Sequence, residues 1–484
     1  MRHASLPAAF HRLPSVLLLG MVVNGCGEKG DEDAAERDTS ERAADTGESP
    51  ADTGEGGTVT WYVDDLSDAE VGTGTAQDPF RDLQDAIDAA SDGDTIHLLA
   101  GRHVAAAFEA VDPTCGNCAD AEFRADIAIT VGFLIEGKAL HLEGASRTDT
   151  VLDTGAGYGL LFEDAGVSSV TNLTVTGGIR DADGRATDAA IVVRYTELTI
   201  SGVDVLENND LYAGEPDPVV GVMGITGREG AKLHVTGCRV LDNSWDGITL
   251  YRSDPDVADS APEATIQENT IGCTTDCIYY ANGRGVGIGV TWDARATIER
   301  NRVHGYWKGI GSFGTTHVVV RNNLVQDMHG WGVIASGEST MEVINNTIVD
   351  NGNVGLAVWN EEASGEFINN IITGNGGVEE WVAKRTGVWM NDSGDAIFAY
   401  NDVWGNEVED VCTGGYPGGA DCTPVAFDGI DGNVSVDPGY VDEDVFALSS
   451  TSAVIDAGDP DILDLDGSRS DMGAYGGPDG AWTP

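Results

Sequence analysis

From Val235 to Val403 the apolar and polar positions recur in one short phrase: an apolar residue, two spacers, Asn, one spacer, then Ile or Val. It occurs as Ile266/Asn269/Ile271, Ile298/Asn301/Val303, Val320/Asn323/Val325, Val343/Asn346/Ile348, Phe367/Asn370/Ile372 and Phe398/Asn401/Val403. Val235/Cys238/Val240 stands ahead of them with Cys in the Asn place, and successive Asn positions lie 32, 22, 23, 24 and 31 residues apart. A second phrase precedes the first in each unit: Gly247-Ile248-Thr249-Leu250, Gly287-Ile288-Gly289-Val290, Gly309-Ile310-Gly311-Ser312, Gly332-Val333-Ile334-Ala335, Gly355-Leu356-Ala357-Val358 and Gly387-Val388-Trp389-Met390. A unit of about 22 residues cannot bury a face alone, and one this rich in β-branched residues predicts short strands stacked on copies of themselves. Gly and Asn break each unit into two or three strands. Three strands per turn, each paired to the next coil at ~4.8 Å, make an all-β solenoid, a single-stranded right-handed parallel β-helix. Asn tolerates left-handed backbone angles and bonds through both ends of its amide, so one Asn per coil is expected to stack into a ladder at a tight bend. The alternative, an antiparallel β-sandwich, calls for Asn-Gly hairpins at short spacing and no such echo.

The ends of the chain follow other patterns. Residues 1–26 have the pattern of an export signal: Arg2, His11 and Arg12, an apolar run from Val16 to Val23, and then Asn24-Gly25-Cys26. The run is too short to span a bilayer as a mature helix. Its end resembles a bacterial lipobox, which makes Cys26 the lipidated N-terminus of an outer-membrane lipoprotein exposed at the surface. Gly27 is compatible with that destination; Asn24 is an unusual spacer and leaves ordinary secretory cleavage as the alternative. Residues 27–57 are Gly, Glu, Asp, Ala, Ser and Thr without apolar periodicity, an acidic disordered tether. The solenoid domain then spans 58–484, with a C-terminal cap from about residue 430. Trp61 to Asp65 reads as a strand, Asp78 to Ala90 as a short helix capped by Asp78 that covers the open edge of the first coil, and Thr95 to Leu99 as the first strand of the stack.

Three sets of motifs then point to a family: this opening, the Asn-bearing coils, and the closing Asp437-Pro438-Gly439-Tyr440, Ser452 to Gly458 and Asp471-Met472-Gly473-Ala474-Tyr475-Gly476. Over residues 60–480 or so the chain resembles the secreted bacterial β-helix proteins of the pectate-lyase-like superfamily, in the subset with a choice-of-anchor Q tail. The resemblance is specific for fold and poor for function.

Composition narrows the partners. The 484 residues hold 81 acids against 26 bases, a formal charge of −55, which argues against nucleic acid. Lysine occurs only at positions 29, 138, 232, 308 and 384. The acidic surface suits salt water or bound divalent cations. A monomer that meets the membrane through its lipid alone is expected.

Cysteines fall in three close pairs, each in a loop: Cys115 with Cys118, Cys273 with Cys277, and Cys412 with Cys422. Export permits disulfides, and no second pair stands at zinc spacing. Cys238, on the ladder row, is expected to be buried and unreactive. Asp464, Asp466 and Asp471 around Gly467 fit a calcium loop without the distal Glu of an EF-hand, or equally an Asx-rich turn in the cap.

If Ile248, Ile288, Ile310, Val333, Leu356 and Val388 point inward, alternation sends the residues one and three later outward. Tyr251, Phe313, Trp359 and Trp389 would then line one open face, with Trp245, Trp307 and Trp331 at its margin. Flat rings stack on sugars, so this face predicts a carbohydrate groove; the alternative is that loops fold over the rings and make a minor core. The family resemblance implies, for a calcium-assisted lyase or epimerase on acidic glycans, a Lys or Arg base and Asp-held calcium. The candidates are Lys308 or Lys384 as base, Arg385 on the substrate carboxylate, and Asp293 or Asp392 on the metal. Glu361, Glu362 and Asp395 are nearby acids, and His304, His317 and His329 read as surface residues. The readings in play are therefore an exported polysaccharide-binding protein with polysaccharide, acidic and calcium-bridged if a lyase, as partner; a lyase or epimerase; and a structural surface spacer or adhesin.

Overall fold

The computed structural model describes residues 57–483 except 68–71, 211–220, 275–284, 360, 361, 379–384, 391–394, 415–421 and 443. The body is a right-handed parallel β-helix of three long sheets with 12, 11 and 13 strands. Each coil supplies one strand to each sheet, in register with the coils before and after. The last turns run Ser364–Ile368, Ile371–Thr373 and Thr386–Met390, then Ala396–Ala399, Asp402–Trp404 and Glu409–Thr413. The repeating Asn phrase bridges the first and second of these strands. The Gly-led phrase is the third and belongs to the 13-stranded sheet.

Ile248, Ile288, Ile310, Val333, Leu356 and Val388 pair in one row and are wholly buried, as the alternation predicts. The Gly before each also faces the interior, so two consecutive residues turn inward at this corner. A Cβ on Gly332 would lie 2.6 Å from the Gly355 carbonyl and 2.7 Å from Ile348 Cγ2, closer than atoms pack. That close approach is why the phrase begins with Gly.

The ladder forms. The N–H of each Asn donates to the side-chain oxygen of the next, along Asn269, Asn301, Asn323, Asn346, Asn370, Asn401 and finally Asn433, at 2.9–3.1 Å. The Cys238 N–H starts it by donating to Asn269. Left-handed angles, expected on these residues, fall instead on the residue before each: Glu268, Arg300, Asn322, Asn345, Asn369 and Tyr400. The ladder Asn spends both ends of its amide on neighbouring coils, so the reversal happens one residue earlier. A second ladder, Asn351, Asn375, Asn406 and Asp410, runs at the next corner.

Two expectations at the ends need correction. The helix is Leu83–Ala89 with Asp82 as its cap, its carboxylate accepting from the Gln84 N–H at 2.7 Å. Residues 78–80 are held as extended chain instead, because the Phe80 N–H donates to the Tyr62 carbonyl and Phe80 bridges Val63. Leu83, Ala86 and Ile87 nevertheless bury into the main core, and the stack begins with Thr60–Val63 paired to Asp94–Leu98. The C-terminal segment is a strap along the outside of the 11-stranded sheet. It runs back from Asp459 at Asn369, through Ser470 to Gly476 at Asn345 and Asn322, to Asp479 beside Arg300. Phe446, Val454 and Met472 bury against Leu324, Val349 and Ile371 of that sheet.

Candidate functional site

The outer face of the 13-stranded sheet is largely covered. Tyr251 is 2% exposed and Trp389 0%, so neither lines an open face; Phe313 and Trp359 are half-buried. Two minor cores account for this. One joins Tyr251 to Trp245, Met223 and Tyr158 beneath the disulfide-bonded Cys115 and Cys118; the other joins Trp389 to Ile334, Val354, Ala357 and Cys412. Apolar rings on a strand face draw loops over themselves unless something keeps them open.

A buried ion cluster, absent from the sequence reading, fastens the 112–125 insertion to that face. Arg228 pairs with Asp112 at 2.9 Å and with Glu229 at 2.8 Å, and Arg194 reaches Asp112, Glu163 and Glu229, with the Tyr158 hydroxyl donating to Asp112 at 2.7 Å. Burial pushes the Asp112 carboxyl up, but Arg228 and Arg194 outweigh it and hold it below the usual range. These charges are separated in sequence by up to 117 residues, which hides the cluster from any local pattern.

Among the described residues the candidates Lys308, Arg385 and Asp293 do not converge. Val286 pairs with Lys308 at the start of neighbouring strands, while Asp293 follows Trp292 at the far end of the strand Val286–Trp292, ~20 Å away. Asp293 accepts the Ser253 N–H. Lys308 lies over the rings of Trp331 (5.3 Å) and Phe313 (5.7 Å). Arg385 precedes Thr386, which is three coils on in the row Lys308–Trp331–Val354–Thr386, and it pairs with Glu407 at 3.1 Å and the Gly376 carbonyl at 2.6 Å. Lys384 and Asp392 lie outside the described residues. A carboxyl that sequence reasoning missed, Asp246, shares this region: burial pushes it up to about 6, against hydrogen bonds from Val286 N–H and Thr249 and the charge of Lys308.

Asp464, Asp466 and Asp471 do not form a ligand set. Asp464 accepts the Gly477 N–H, Asp466 accepts from Ser468, and Asp471 accepts the Asp456 N–H, which is an Asx-rich turn inside the strap. Among the described residues no three His, Cys, Asp or Glu side chains gather to hold a metal. Cys412–Cys422 is a second disulfide, and Cys273 is also bonded, its expected partner Cys277 lying outside the described residues. Cys238 is free and buried, and burial pushes its thiol up to about 11. Cys26 likewise lies outside the described residues.

An open groove of about 520 Å³ is found at the corner between the 11- and 13-stranded sheets. Its walls come from five successive coils, at Thr274, Gly305, Asp327 to His329, Asp350 to Gly352, and Gly374 to Val378. Four steps of ~4.8 Å make it ~19 Å long. There is open space beside its wall at Gly377, where an added Cβ meets nothing within 4 Å. His329, expected to be a plain surface residue, lies on the Trp307 ring at 5.1 Å. From there the rings lead away from the groove and across the outer face of the 13-stranded sheet, from the buried Trp307 to Trp331 (6.0 Å), Trp331 to Trp359 (5.0 Å) and Trp359 to the buried Trp389 (5.3 Å). The corner thus sets carboxylates and an imidazole beside Trp307 and Trp331, the near end of this row of indoles.

The molecule is a right-handed parallel β-helix, and its residues 264–402 match the family described as right handed beta helix region. No curated protein matches the chain in sequence. Among solved structures the chain is similar to the GH136 lacto-N-biosidase from Eubacterium ramulus, at 14% identity and TM-score 0.44, over 78% of this chain and 68% of that one. It is also similar to pectate lyase Pel9A (14%, TM-score 0.42, 87% and 96%) and to a mutant of the periplasmic alginate epimerase AlgG (14%, TM-score 0.37, 69% and 70%). At these levels the likeness carries no argument about this chain's chemistry.

Proposed function

We propose that this chain is an exported, lipid-anchored surface protein whose β-helix binds an extended extracellular polysaccharide along the corner groove. The observation that supports this most is the groove itself: it follows the stacking axis over five coils, with Asp327, Asp350 and His329 in its wall, the His329 ring against Trp307 and the half-buried Trp331 beside Trp307. Sugar rings take apolar stacking on one face and hydrogen bonds at their edges, and such a site supplies both. A glycan array with wild type, Trp331→Ala and Gly377→Phe tests it. Retention of a glycan by wild type and its loss in both variants is expected; equal signals from all three would remove the groove from the account. The anchor is tested by labelled palmitate, which should enter wild type and not Cys26→Ala.

A second reading, a calcium-assisted lyase or epimerase, draws support from Lys308 and the buried Asp246 acting on each other on one face. It predicts unsaturated product from a uronan with calcium and none with chelator, and loss in Lys308→Ala. No ultraviolet absorbance on pectate or alginate would end it.

A further inference from the structure

We propose that the polysaccharide site runs one coil beyond the groove, onto the indole of Trp404, which takes the apolar face of a pyranose ring; this rests on the binding reading above. Thr373 precedes Gly374 in the last wall of the groove, and Trp404 pairs with Thr373 one step of ~4.8 Å further along the stack. Val403 is wholly buried in the core, so alternation turns Trp404 to the outer face of the 11-stranded sheet. The same row runs back through Thr373, Val349 and Gln326, which are 4%, 3% and 6% exposed, whereas Trp404 is 39% exposed.

The strap accounts for the difference. It buries Phe446 against Val349 and begins over Asp402, whose carboxylate accepts the Val436 N–H at 3.0 Å, and it leaves the other end of the strand Asp402–Trp404 bare. Trp404 is the most exposed of the described tryptophans, and among the described residues no ring, cation or hydrogen-bond acceptor engages its indole. At the same corner Val408 is exposed, and a Cβ added to Gly405 would meet nothing within 4 Å. The coil that carries the ring is fixed to the groove. The Glu407 N–H donates to the Asn375 carbonyl and the Asn375 N–H to the Asn406 side chain, both at 2.9 Å, and Arg385 joins the Gly376 carbonyl (2.6 Å) to Glu407 (3.1 Å). A sugar therefore meets a ring already in place, with little ordering left to do. A pyranose lays its C–H face on the indole, and the indole N–H donates to a hydroxyl. An oligosaccharide long enough to leave the groove at its Gly374 end gains a contact that a shorter one lacks.

The test measures the affinity of the full chain for cello-, xylo-, N-acetylchito- and galacturono-oligosaccharides, each from disaccharide to octasaccharide, in wild type and Trp404→Ala. In any series that binds, wild-type affinity is expected to rise up to the longest members, and Trp404→Ala to level off at a shorter length and fall about tenfold behind on the octasaccharide. Bound octasaccharide should also shield Trp404 from N-bromosuccinimide, which oxidises exposed indoles. An exposed side chain contributes little to the core, so unchanged thermal unfolding of Trp404→Ala is expected and shows that it folds. Equal affinities of the two proteins at every length, a loss as large on the disaccharide as on the octasaccharide, or Trp404 oxidised as fast with octasaccharide bound would overturn the extension while the binding reading stands. Binding to none of the four series or to any arrayed glycan would remove both.

Discussion

Asn345 and Asn346 are neighbours in the chain and hold opposite sides of the wall. Asn346 faces the ladder, accepting the Asn323 N–H at 2.9 Å and donating to Asn370 at 3.0 Å and to the Val320 carbonyl at 2.9 Å. Asn345, at φ 54°, turns outward and donates to the Asp471 carbonyl of the strap at 2.8 Å. Asn322/Asn323 and Asn369/Asn370 divide the same work, with Asn322 holding Gly476 and Asn369 accepting the Asp459 N–H. Asn346→Ala should therefore cost roughly 2–4 kcal/mol of global stability by orphaning buried donors. Asn345→Ala should leave the core melting nearly unchanged and expose residues 454–482 to protease; equal effects of the two in denaturant titration and limited proteolysis would refute the division.

Asp402 gives the strap a pH dependence. It lies buried where the strap begins, accepting the Val436 N–H at 3.0 Å, and burial, with Asp410 and Asp437 adding, pushes its carboxyl from 3.8 to about 7. A raised acid binds its proton more tightly folded than unfolded, so its destabilisation is absent below about pH 4, grows toward pH 7 and is level above. Asp402→Asn should remove that slope, a gain of roughly 2–4 kcal/mol at pH 8 and none at pH 4, read from thermal melts across pH.

The ion cluster behind the 112–125 insertion should behave as one unit. Arg228→Met leaves Asp112 and Glu229 buried with Arg194 alone, and an expected loss of roughly 3–5 kcal/mol follows from uncompensated charge. Adding Asp112→Asn should recover part of it. Additive losses in the double variant would show that the pairs act separately.

Two tryptophans of the indole row should separate stability from binding. Trp389 is wholly buried, and Trp389→Ala should cost roughly 3–5 kcal/mol. Trp331 is half-buried, so Trp331→Ala should cost a smaller ~1 kcal/mol and act on glycan retention instead. Glycan binding by a folded Trp389→Ala protein, with none by Trp331→Ala, is the expected pattern in retention assays.

The period of the chain alone determined the β-helix, the inward row from Ile248 to Val388 and the Asn ladder, because each coil repeats the same local contacts one step along the axis. Those contacts lie about one repeat apart, within reach of pattern reading. What covers the outside was decided only by the tertiary structure. Whether Tyr251 and Trp389 meet solvent depends on the 112–125 insertion and on the Cys412–Cys422 disulfide packed in the Trp389 cluster, neither of which repeats. The groove escaped notice for a related reason. Its Asp327, His329, Asp350 and Gly377 occupy corners between strands, where period-two alternation assigns no face, and only the winding of five coils brings them into one wall. The paired Asn residues were visible as letters; that one of each pair would hold a strap more than 80 residues away depended on a single left-handed residue and on where the chain's end folds back.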